Sequence, residues 1–238
     1  MQLDFIGNIF RKTKPEQMEL GEKASPVTCN VERFFHSITK DEIKRHKEIW
    51  DELTPDTDSE MFKRYLFAFM SVHTTWESNI KGYENIANWL KWINNDAKLL
   101  DLLKDSGVGL HNNRTKFISA FTQDYWANCK KYQKKKDETW VECRDRIEKT
   151  IKGLGLAKSS FSLEMIYPLE CNVSCMDVHL FRFYGLNQTK HLKQYKTIEA
   201  HWVEWSKMFN LPAYISRVIW WNRNQGQKDC WYWATVLK

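Results

Sequence analysis

The sequence predicts an all-α protein, and three observations point to this fold class. Glycine and proline are scarce, at 9 and 5 of 238 residues, so few positions interrupt long regular segments. Apolar residues recur mostly at helical spacing rather than in strict alternation. The segment "TKDEIKRHKEIWDEL" begins with Thr39 and Glu42 in capping-box register and continues with an apolar face of Ile43, Ile49 and Leu53.

Helical patterns then follow one another along the chain. "DSEMFKRYLFAFMSVHTTWESNI" is apolar almost all round at its centre, which is typical of a buried helix. Two short amphipathic segments, "GYENIANWLKWI" and "NDAKLLDLLK", precede "GVGLHNNRTKFISAFTQDYW", which starts after a glycine break. Further patterns cover residues 138–151, 156–167, 178–184, 195–209, 212–222 and 226–236. We expect roughly ten helices, with the first 30 residues the least regular and open to an extended backbone.

Composition and charge restrict the class of protein. Lysine and arginine number 36 against 30 acidic residues, and this net charge of +6 is compatible with a polyanionic partner. The six cysteines lack the spacing of a disulfide framework, which favours free thiols in a reducing compartment. The N-terminus lacks the pattern of a signal peptide, and no apolar run is long enough to cross a membrane. We expect an intracellular protein that forms one unit over residues 1–238.

A tight glycine turn joins two of the predicted helices. In "RIEKTIKGLGLAKSSFSLEMI", one helix ends at Lys152, Gly153 and Gly155 supply a permissive backbone, and the next helix starts at once. Such a turn leaves amide N–H groups unpaired at a helix N-terminus, where the donors and the helix dipole favour a phosphate. The alternative is an ordinary tight connection between two helices.

A single aspartate follows the second of these helices. After the loop "YPLECNVSC", Asp177 lies where the N-cap of the helix "VHLFRFYG" would be. Capping is one interpretation. A carboxylate that helix amides hold in place could also stabilise positive charge developing on a sugar or orient a water molecule, so the two roles are compatible.

Together these elements resemble the helix-hairpin-helix DNA glycosylase superfamily. In that superfamily the hairpin is followed by a loop and an aspartate in a V-D-x-H type sequence, which residues 176–179, "MDVH", match with methionine in the first place. "FAFMSVHTTWESN", "SGVGLHNNRTKFISAF" and the closing segment to residue 226 are similar to other family elements in the same order, so the likeness covers about residues 60–235. It implies a two-lobed helical fold with DNA in the cleft. The middle lobe would comprise roughly residues 80–185, with the hairpin at 148–166, and the other lobe residues 1–79 and 186–238.

The resemblance also implies roles for individual residues. Asp177 would be the catalytic carboxylate that assists cleavage of the N-glycosidic bond. The hairpin backbone would grip a phosphate while the target nucleotide is flipped out. His73 stands where relatives reach the gap or the opposite base, although a helix-end histidine with a local hydrogen bond is the alternative. The DNA-binding candidates are Gly153, Leu154, Gly155, Lys152, His73, Arg114 and His179.

One position departs from the family pattern. Members that also nick the abasic strand have a nucleophilic lysine two residues after the second hairpin glycine, but here that residue is Ala157 and the lysine is Lys158. A shift by one residue turns a side chain by about 100° around a helix. Either the hairpin is one residue longer and Lys158 is the Schiff-base nucleophile, or the enzyme is monofunctional. Our interpretation favours Lys158, with a surface phosphate contact as its alternative role.

Other groups of residues could also bind a metal, a phosphate or a base. Cys171, Cys175 and His179 are spaced by fours, but the start of a helix at Asp177 separates them, and we predict buried thiols and no metal site. No cofactor is expected, with a monovalent cation at the hairpin left open. "KKYQKKK" at 130–136 is a solvated run or an additional phosphate-binding segment. The tryptophans that could stack on a flipped base, or else lie in the core, are Trp76, Trp220, Trp221, Trp231 and Trp233.

The sequence thus predicts a monomeric, DNA-associated glycosylase with no membrane contact, whose partner is double-stranded DNA containing a damaged or modified base. The final Lys238 resembles the ending of one archaeal-type branch of 8-oxoguanine glycosylases, in which a C-terminal lysine contributes to base recognition. This ending and the 19-residue step from Lys158 to Asp177 together favour 8-oxoguanine as the substrate. The alternatives are a monofunctional glycosylase for modified or mismatched pyrimidines and a non-catalytic helix-hairpin-helix DNA-binding protein.

Overall fold

A computed structural model describes residues 26–225 and 236–237 of the chain. Residues 26–225 contain no strand, which confirms the predicted all-α class. Their eleven α-helices are α1 (Pro26–Ser37), α2 (Lys40–Glu52), α3 (Asp58–Met70), α4 (Trp76–Ile86), α5 (Asp96–Asp105), α6 (His111–Ala127), α7 (Trp140–Thr150), α8 (Leu156–Ile166), α9 (Val178–Phe183), α10 (Tyr195–Met208) and α11 (Ala213–Asn224). Short 3-10 turns occur at Trp89–Lys91, Cys129–Tyr132 and Leu192–Gln194.

Several of our sequence-based predictions concern residues outside the described ranges. These are the helical pattern at 226–236, the extended alternative for the first residues, and the roles considered for Cys230, Trp231, Trp233 and Lys238. Within the ranges that are described, no helix has the length and apolar character needed to cross a bilayer.

Capping explains where the helices begin and why one predicted segment is divided. The capping box of Thr39 and Glu42 is present at the start of α2. The apolar segment that begins at Asp58 does not continue as one helix, because α3 ends at Met70 and α4 begins at Trp76. Between them the backbone of His73 is left-handed, with φ +47°, and Thr75 accepts a hydrogen bond from the first turn of α4. The local cap therefore overrides the continuous apolar pattern.

Helix α3 lies at the centre of the packing. It contacts α4, α6 and α8, and all its residues from 64 to 70 are buried. Helix α5 packs on α4 and α6, and α7 packs on α8. Helix α11 packs on α2 and α10, and α10 reaches α1, so the C-terminal helices return to the N-terminal ones. The division of the chain into two lobes, with its predicted boundaries, stays a prediction.

Candidate active site

The glycine hairpin forms as predicted, and Gly153 is required by its geometry. Helix α7 ends at Thr150 and α8 begins at Leu156, so the connection has five residues. Gly153 has φ +93°, a conformation that residues with a Cβ rarely adopt. A Cβ there would lie 2.6 Å from Cδ2 of Phe117 on α6. Backbone conformation and packing therefore both exclude a side chain at this position.

Gly155 differs from Gly153, because nothing in the fold requires it to be glycine. Its φ of −78° and ψ of −178° suit any residue, and a Cβ would have no atom within 4 Å. It caps α8 without a side-chain hydrogen bond. The missing side chain thus leaves open space in front of the positive end of a helix, where an anion can approach closely. Beside it, Lys152 is exposed, whereas the Leu154 side chain is buried and can offer only its backbone.

Asp177 is the N-cap of α9, as its position in the sequence predicts. One carboxylate oxygen, Oδ1, accepts hydrogen bonds from the amides of His179 at 2.9 Å and Leu180 at 3.0 Å. The side chain is half-buried, so it is both held in place and accessible. Capping therefore fixes the location of a carboxylate that solvent can still reach.

Lys158 lies close to the same region. Its ammonium is 5.5 Å from the centroid of the Phe161 ring. Burial raises the pKa of the Cys175 thiol to about 12, an effect that the charges of Arg217 and Lys158 oppose and the charge of Asp177 increases. The charges of Lys158 and Asp177 thus act in opposite directions on the pKa of one buried thiol.

Ala157 occupies a different environment from Lys158. Its methyl group is half-buried and packs against the edge of the hydrophobic core. The Lys158 side chain is also half-buried, and its ammonium lies 5.5 Å from the centroid of the Phe161 ring. The choice between Lys158 as the nucleophile and a monofunctional enzyme stays a prediction.

One candidate tryptophan, Trp221, contacts His179, which is two residues after Asp177, and a second, Trp76, contacts Trp221. The ring of Trp221 meets the ring of His179 edge-on, with centroids 5.2 Å apart. Trp76 lies 6.3 Å from Trp221, and both are half-buried. Trp220 has an exposed fraction of only 7% and belongs to the core. Two half-buried tryptophan rings therefore adjoin the N-terminus of α9. The sequence could not distinguish them from tryptophans of the core.

The structure argues against the predicted phosphate contact of Arg114. This side chain is 4% exposed, and its guanidinium donates to the carbonyl oxygens of Gly109 at 2.8 Å, of Phe69 and of Val72. A contact with DNA would break these bonds and leave buried carbonyls unpaired. Arg114 instead ties the α3–α4 turn, where His73 is exposed, to the α5–α6 turn.

Sequence reasoning missed Leu110 in the second of these turns. It has a left-handed backbone, with φ +60°, and its side chain is 53% exposed. An apolar residue held outward in a strained conformation is uncommon away from functional surfaces. The sequence signal was an apolar residue directly after the G-V-G break.

Buried charged residues next to the site were also missed. Arg217 Nε lies 2.8 Å from Glu164 Oε1, and Arg144 Nη1 lies 2.7 Å from Glu199 Oε1. Burial raises the pKa of both carboxyl groups, and the charge of the paired arginine opposes that change. The available signal was a charged residue inside apolar helical sequence, as in "FSLEMI" and "YISRVIW".

The remaining candidate groups show ordinary structural contacts. Cys171 and Cys175 are buried free thiols, and in the part of the chain that is described no three histidine, cysteine or carboxylate side chains are grouped to hold a metal ion. In the basic run, Lys131 pairs with Asp124 at 2.6 Å, and the Lys134 ammonium lies 5.3 Å from the centroid of the Trp140 ring.

Comparison with known proteins places this geometry in a family. The crystal structure of Methanocaldococcus jannaschii 8-oxoguanine glycosylase/lyase in complex with 15mer DNA containing 8-oxoguanine is 20% identical, with a TM-score of 0.66, and the match covers 85% of this chain and 99% of that one. A second structure of the 8-oxoguanine DNA glycosylase from M. jannaschii is 18% identical, with a TM-score of 0.61, covering 95% and 96%. The Thermotoga maritima 8-oxoguanine DNA glycosylase is 15% identical, with a TM-score of 0.60, covering 96% and 98%.

These similarities confirm the fold expected from the helix-hairpin-helix resemblance. No curated protein matches the sequence. The model of the Ogg-HhH family, described as 8-oxoguanine DNA glycosylase, matches residues 39–211, which is well over half of the chain. The matched region includes the hairpin, Lys158 and Asp177. The predicted DNA glycosylase class is thereby confirmed, and the chain belongs to the 8-oxoguanine DNA glycosylase family with a helix-hairpin-helix motif.

Proposed function

We propose that this chain excises 8-oxoguanine from double-stranded DNA as a monomer, with Asp177 and Lys158 as its catalytic residues, and then nicks the abasic strand. The observation that carries the proposal is the half-buried Asp177 carboxylate, which two amides of α9 hold in place after the glycine hairpin, with Lys158 in the first turn of α8. The family match supports the substrate, and the similar M. jannaschii protein is described as both a glycosylase and a lyase.

The hairpin would hold the DNA during base flipping. The open space at Gly155 allows a phosphate to reach the uncapped first turn of α8, and the exposed Lys152 adds positive charge. Extruding a nucleotide costs a few kcal/mol, so backbone contacts on the flanking phosphates must keep the duplex in place. His73 is exposed in the α3–α4 turn and is the candidate for the gap or the opposite base.

The chemistry follows from the two side chains. The Lys158 amine attacks C1′ of the flipped nucleotide as the N-glycosidic bond breaks, and the departing base takes up a proton. The Asp177 carboxylate stabilises the positive charge that develops on the sugar, and the amides of His179 and Leu180 keep it in position. Opening of the sugar ring converts the C1′–N bond into an imine, and loss of a C2′ proton then expels the 3′ phosphate.

The half-buried tryptophans next to α9 are candidates for the base site. Trp221 and Trp76 are half-buried, and the Trp221 ring contacts His179, two residues after Asp177. Stacking of a base on an aromatic ring is worth about 1–3 kcal/mol, and it does not depend on hydrogen bonds to one particular base. We propose that the Trp221 ring contributes to binding of the flipped base.

Borohydride trapping tests the proposal directly. Wild type, Lys158→Ala and Asp177→Asn are incubated with duplexes that contain one 8-oxoguanine, one modified pyrimidine or only normal bases. We expect a covalent adduct with the 8-oxoguanine duplex in wild type, no adduct in Lys158→Ala, and strongly reduced base release in Asp177→Asn. Lys207→Ala, an exposed lysine on α10, is the control that keeps both activities.

Other outcomes would contradict specific parts of the proposal. Base release without trapping, still lost in Asp177→Asn, would show a monofunctional enzyme in which Ala157 marks the absent nucleophile. Release from a pyrimidine duplex alone would reject 8-oxoguanine as substrate. Tight duplex binding without base release by wild type would instead support a DNA-binding protein without glycosylase activity.

A further inference from the structure

Two buried ion pairs surround the segment that leads to Asp177. Glu164 on α8 pairs with Arg217 on α11, and Arg144 on α7 pairs with Glu199 on α10. The four side chains are at most 5% exposed. Each pair therefore joins a helix of the hairpin to one of the two long helices that follow Asp177 in the chain.

Glu164 binds the chain just before Asp177 as well as Arg217. Its Oε1 atom accepts hydrogen bonds from Ser174 Oγ at 3.0 Å, from the Cys175 amide at 3.2 Å and from Arg217 Nε at 2.8 Å. The Cys175 carbonyl in turn accepts from the Asp177 amide at 3.1 Å. The Glu164 oxygen is thus two hydrogen bonds away from the backbone of the proposed catalytic residue.

The other pair holds the same segment from a second direction. Glu199 Oε1 accepts from the Ser174 amide at 3.1 Å, and Tyr195 Oη accepts from the Met176 amide at 3.2 Å. The three successive amides of residues 174–176 therefore donate their hydrogen bonds to buried side chains rather than to backbone carbonyls. Each of these bonds restricts the orientation of a peptide plane.

Arg217 also connects the pair to Lys158. The carbon at the centre of its guanidinium lies 5.2 Å from the centroid of the Phe161 ring, and the Lys158 ammonium lies 5.5 Å from that same centroid. Both positive charges act on Cys175. The Glu164–Arg217 pair thus contacts the surroundings of Lys158 and of Asp177.

A buried ion pair is weak evidence for a role in stability. Removing two charges from water is costly, and replacing a buried ion pair by apolar residues of similar volume is often neutral or stabilising. The second carboxylate oxygen of Glu164 is buried and has no hydrogen-bond partner within the described part of the chain.

We propose that Glu164, oriented by Arg217, is a positioning residue that places the Asp177 carboxylate relative to Lys158. This inference rests on the proposed function for its catalytic consequence, but not for its structural one. Without the Glu164 acceptor, the Cys175 amide and the Ser174 hydroxyl lose their partner. The Ser174–Cys175 peptide can then rotate and move the Cys175 carbonyl that accepts from the Asp177 amide, and the cap of α9 loosens.

The test compares two double variants of the full-length chain. Glu164→Met with Arg217→Met removes the acceptor without leaving a charge unpaired. Glu42→Gln with Arg223→Met is the control, because Arg223 is on the same helix, pairs with Glu42 at 2.6 Å and has its guanidinium carbon 5.6 Å from the centroid of a phenylalanine ring. Glutamine keeps the capping box that Glu42 forms with Thr39. Ser174→Ala is a milder second variant in case the first does not fold.

Two readouts separate the structural and the catalytic consequences. Amide hydrogen exchange at His179 and Leu180 reports on Asp177 directly, since its Oδ1 atom is their acceptor. We expect the Glu164 double variant to lose about tenfold in protection at these amides and about tenfold or more in the single-turnover rate of base release. Duplex affinity should stay within about threefold, and the control should retain both protection and rate.

Each result decides the inference. Unchanged protection at His179 and Leu180 in the Glu164 double variant, or in Ser174→Ala if the double variant does not fold, would overturn it. Lost protection with an unchanged rate, or equal losses in the control, would also overturn it. If wild type releases no base, the proposed function fails, while the exchange comparison still decides whether Glu164 positions Asp177.

Discussion

The same substitution, glycine to alanine, should affect DNA binding at one hairpin glycine and the stability of the fold at the other. In Gly155→Ala, the new methyl group enters open space, with no atom within 4 Å, on a backbone that alanine readily adopts. In Gly153→Ala, the methyl group would meet Phe117 at 2.6 Å on a backbone with φ +93°. If the open space at Gly155 accommodates a phosphate, the first change should weaken DNA binding and the second should mainly destabilise the fold.

The magnitudes follow from these geometries. For Gly155→Ala, a gain of about 0.4–1 kcal/mol from a less flexible unfolded chain offsets a similar loss of about 0.5–1 kcal/mol from a poorer N-cap. The free energy of unfolding should therefore change little. One lost amide–phosphate hydrogen bond is worth about 1.5–3 kcal/mol, or about a ten- to hundredfold weaker Kd. For Gly153→Ala, backbone strain of about 1–2 kcal/mol adds to overpacking of about 1–3 kcal/mol.

The assay combines urea unfolding with duplex binding by fluorescence anisotropy at one fixed salt concentration. Gly155→Ala should unfold at nearly the wild-type urea concentration and bind DNA more weakly, whereas Gly153→Ala should unfold at a clearly lower concentration. Wild-type affinity in Gly155→Ala would refute the assignment of the phosphate to this end of α8. A large loss of stability in Gly155→Ala would show that the space at this position does not accommodate a methyl group.

Three further predictions concern Lys152, Arg114 and His201. Lys152→Ala should reduce the slope of the logarithm of the DNA-binding constant against the logarithm of salt concentration by about 0.9. Arg114→Met should leave that slope unchanged but lower the free energy of unfolding by about 3 kcal/mol, because three hydrogen bonds are lost. A changed slope in Arg114→Met would show that Arg114 contacts a phosphate. Burial lowers the pKa of His201 to about 4 in the folded protein. As the pH falls from 6.5 to 4, the unfolded chain protonates this imidazole while the folded protein does not, so the free energy of unfolding should fall by up to about 3 kcal/mol. His201→Gln should flatten this loss in urea unfolding, because no imidazole then remains between Tyr184 and Trp205 to be protonated; an unchanged pH dependence would contradict the assignment.

Local sequence signals predicted the elements that depend on neighbouring residues. The capping box at Thr39, the glycine hairpin and the N-cap position of Asp177 all involve contacts within a few residues, and all appear in the structure. The predicted long helix from Asp58 was wrong beyond Met70, since apolar periodicity does not register a turn stabilised by a local cap and by the distant Arg114.

Long-range contacts decided what the local signals left open. Arg114 resembles a surface cation in the sequence, yet it is buried, because carbonyls from two distant turns converge on its guanidinium. The choice between Lys158 and Ala157 stays a prediction, because it depends on how α8 is rotated against its neighbours. The tryptophans give one more example, because Trp220 and Trp221 are adjacent in sequence and only packing shows which one is accessible.

The sequence by itself determined the helical class, the hairpin and the aspartate that follows it, because caps, glycine conformations and apolar periodicity are local properties of the chain. Only the tertiary structure decided which groups surround that aspartate. Glu164 and Arg217 are 53 residues apart and become an ion pair only when α8 and α11 pack together. The packing of these two helices buries Glu164 and Arg217 together beside the segment that leads to Asp177, and no local pattern in the sequence indicates that contact.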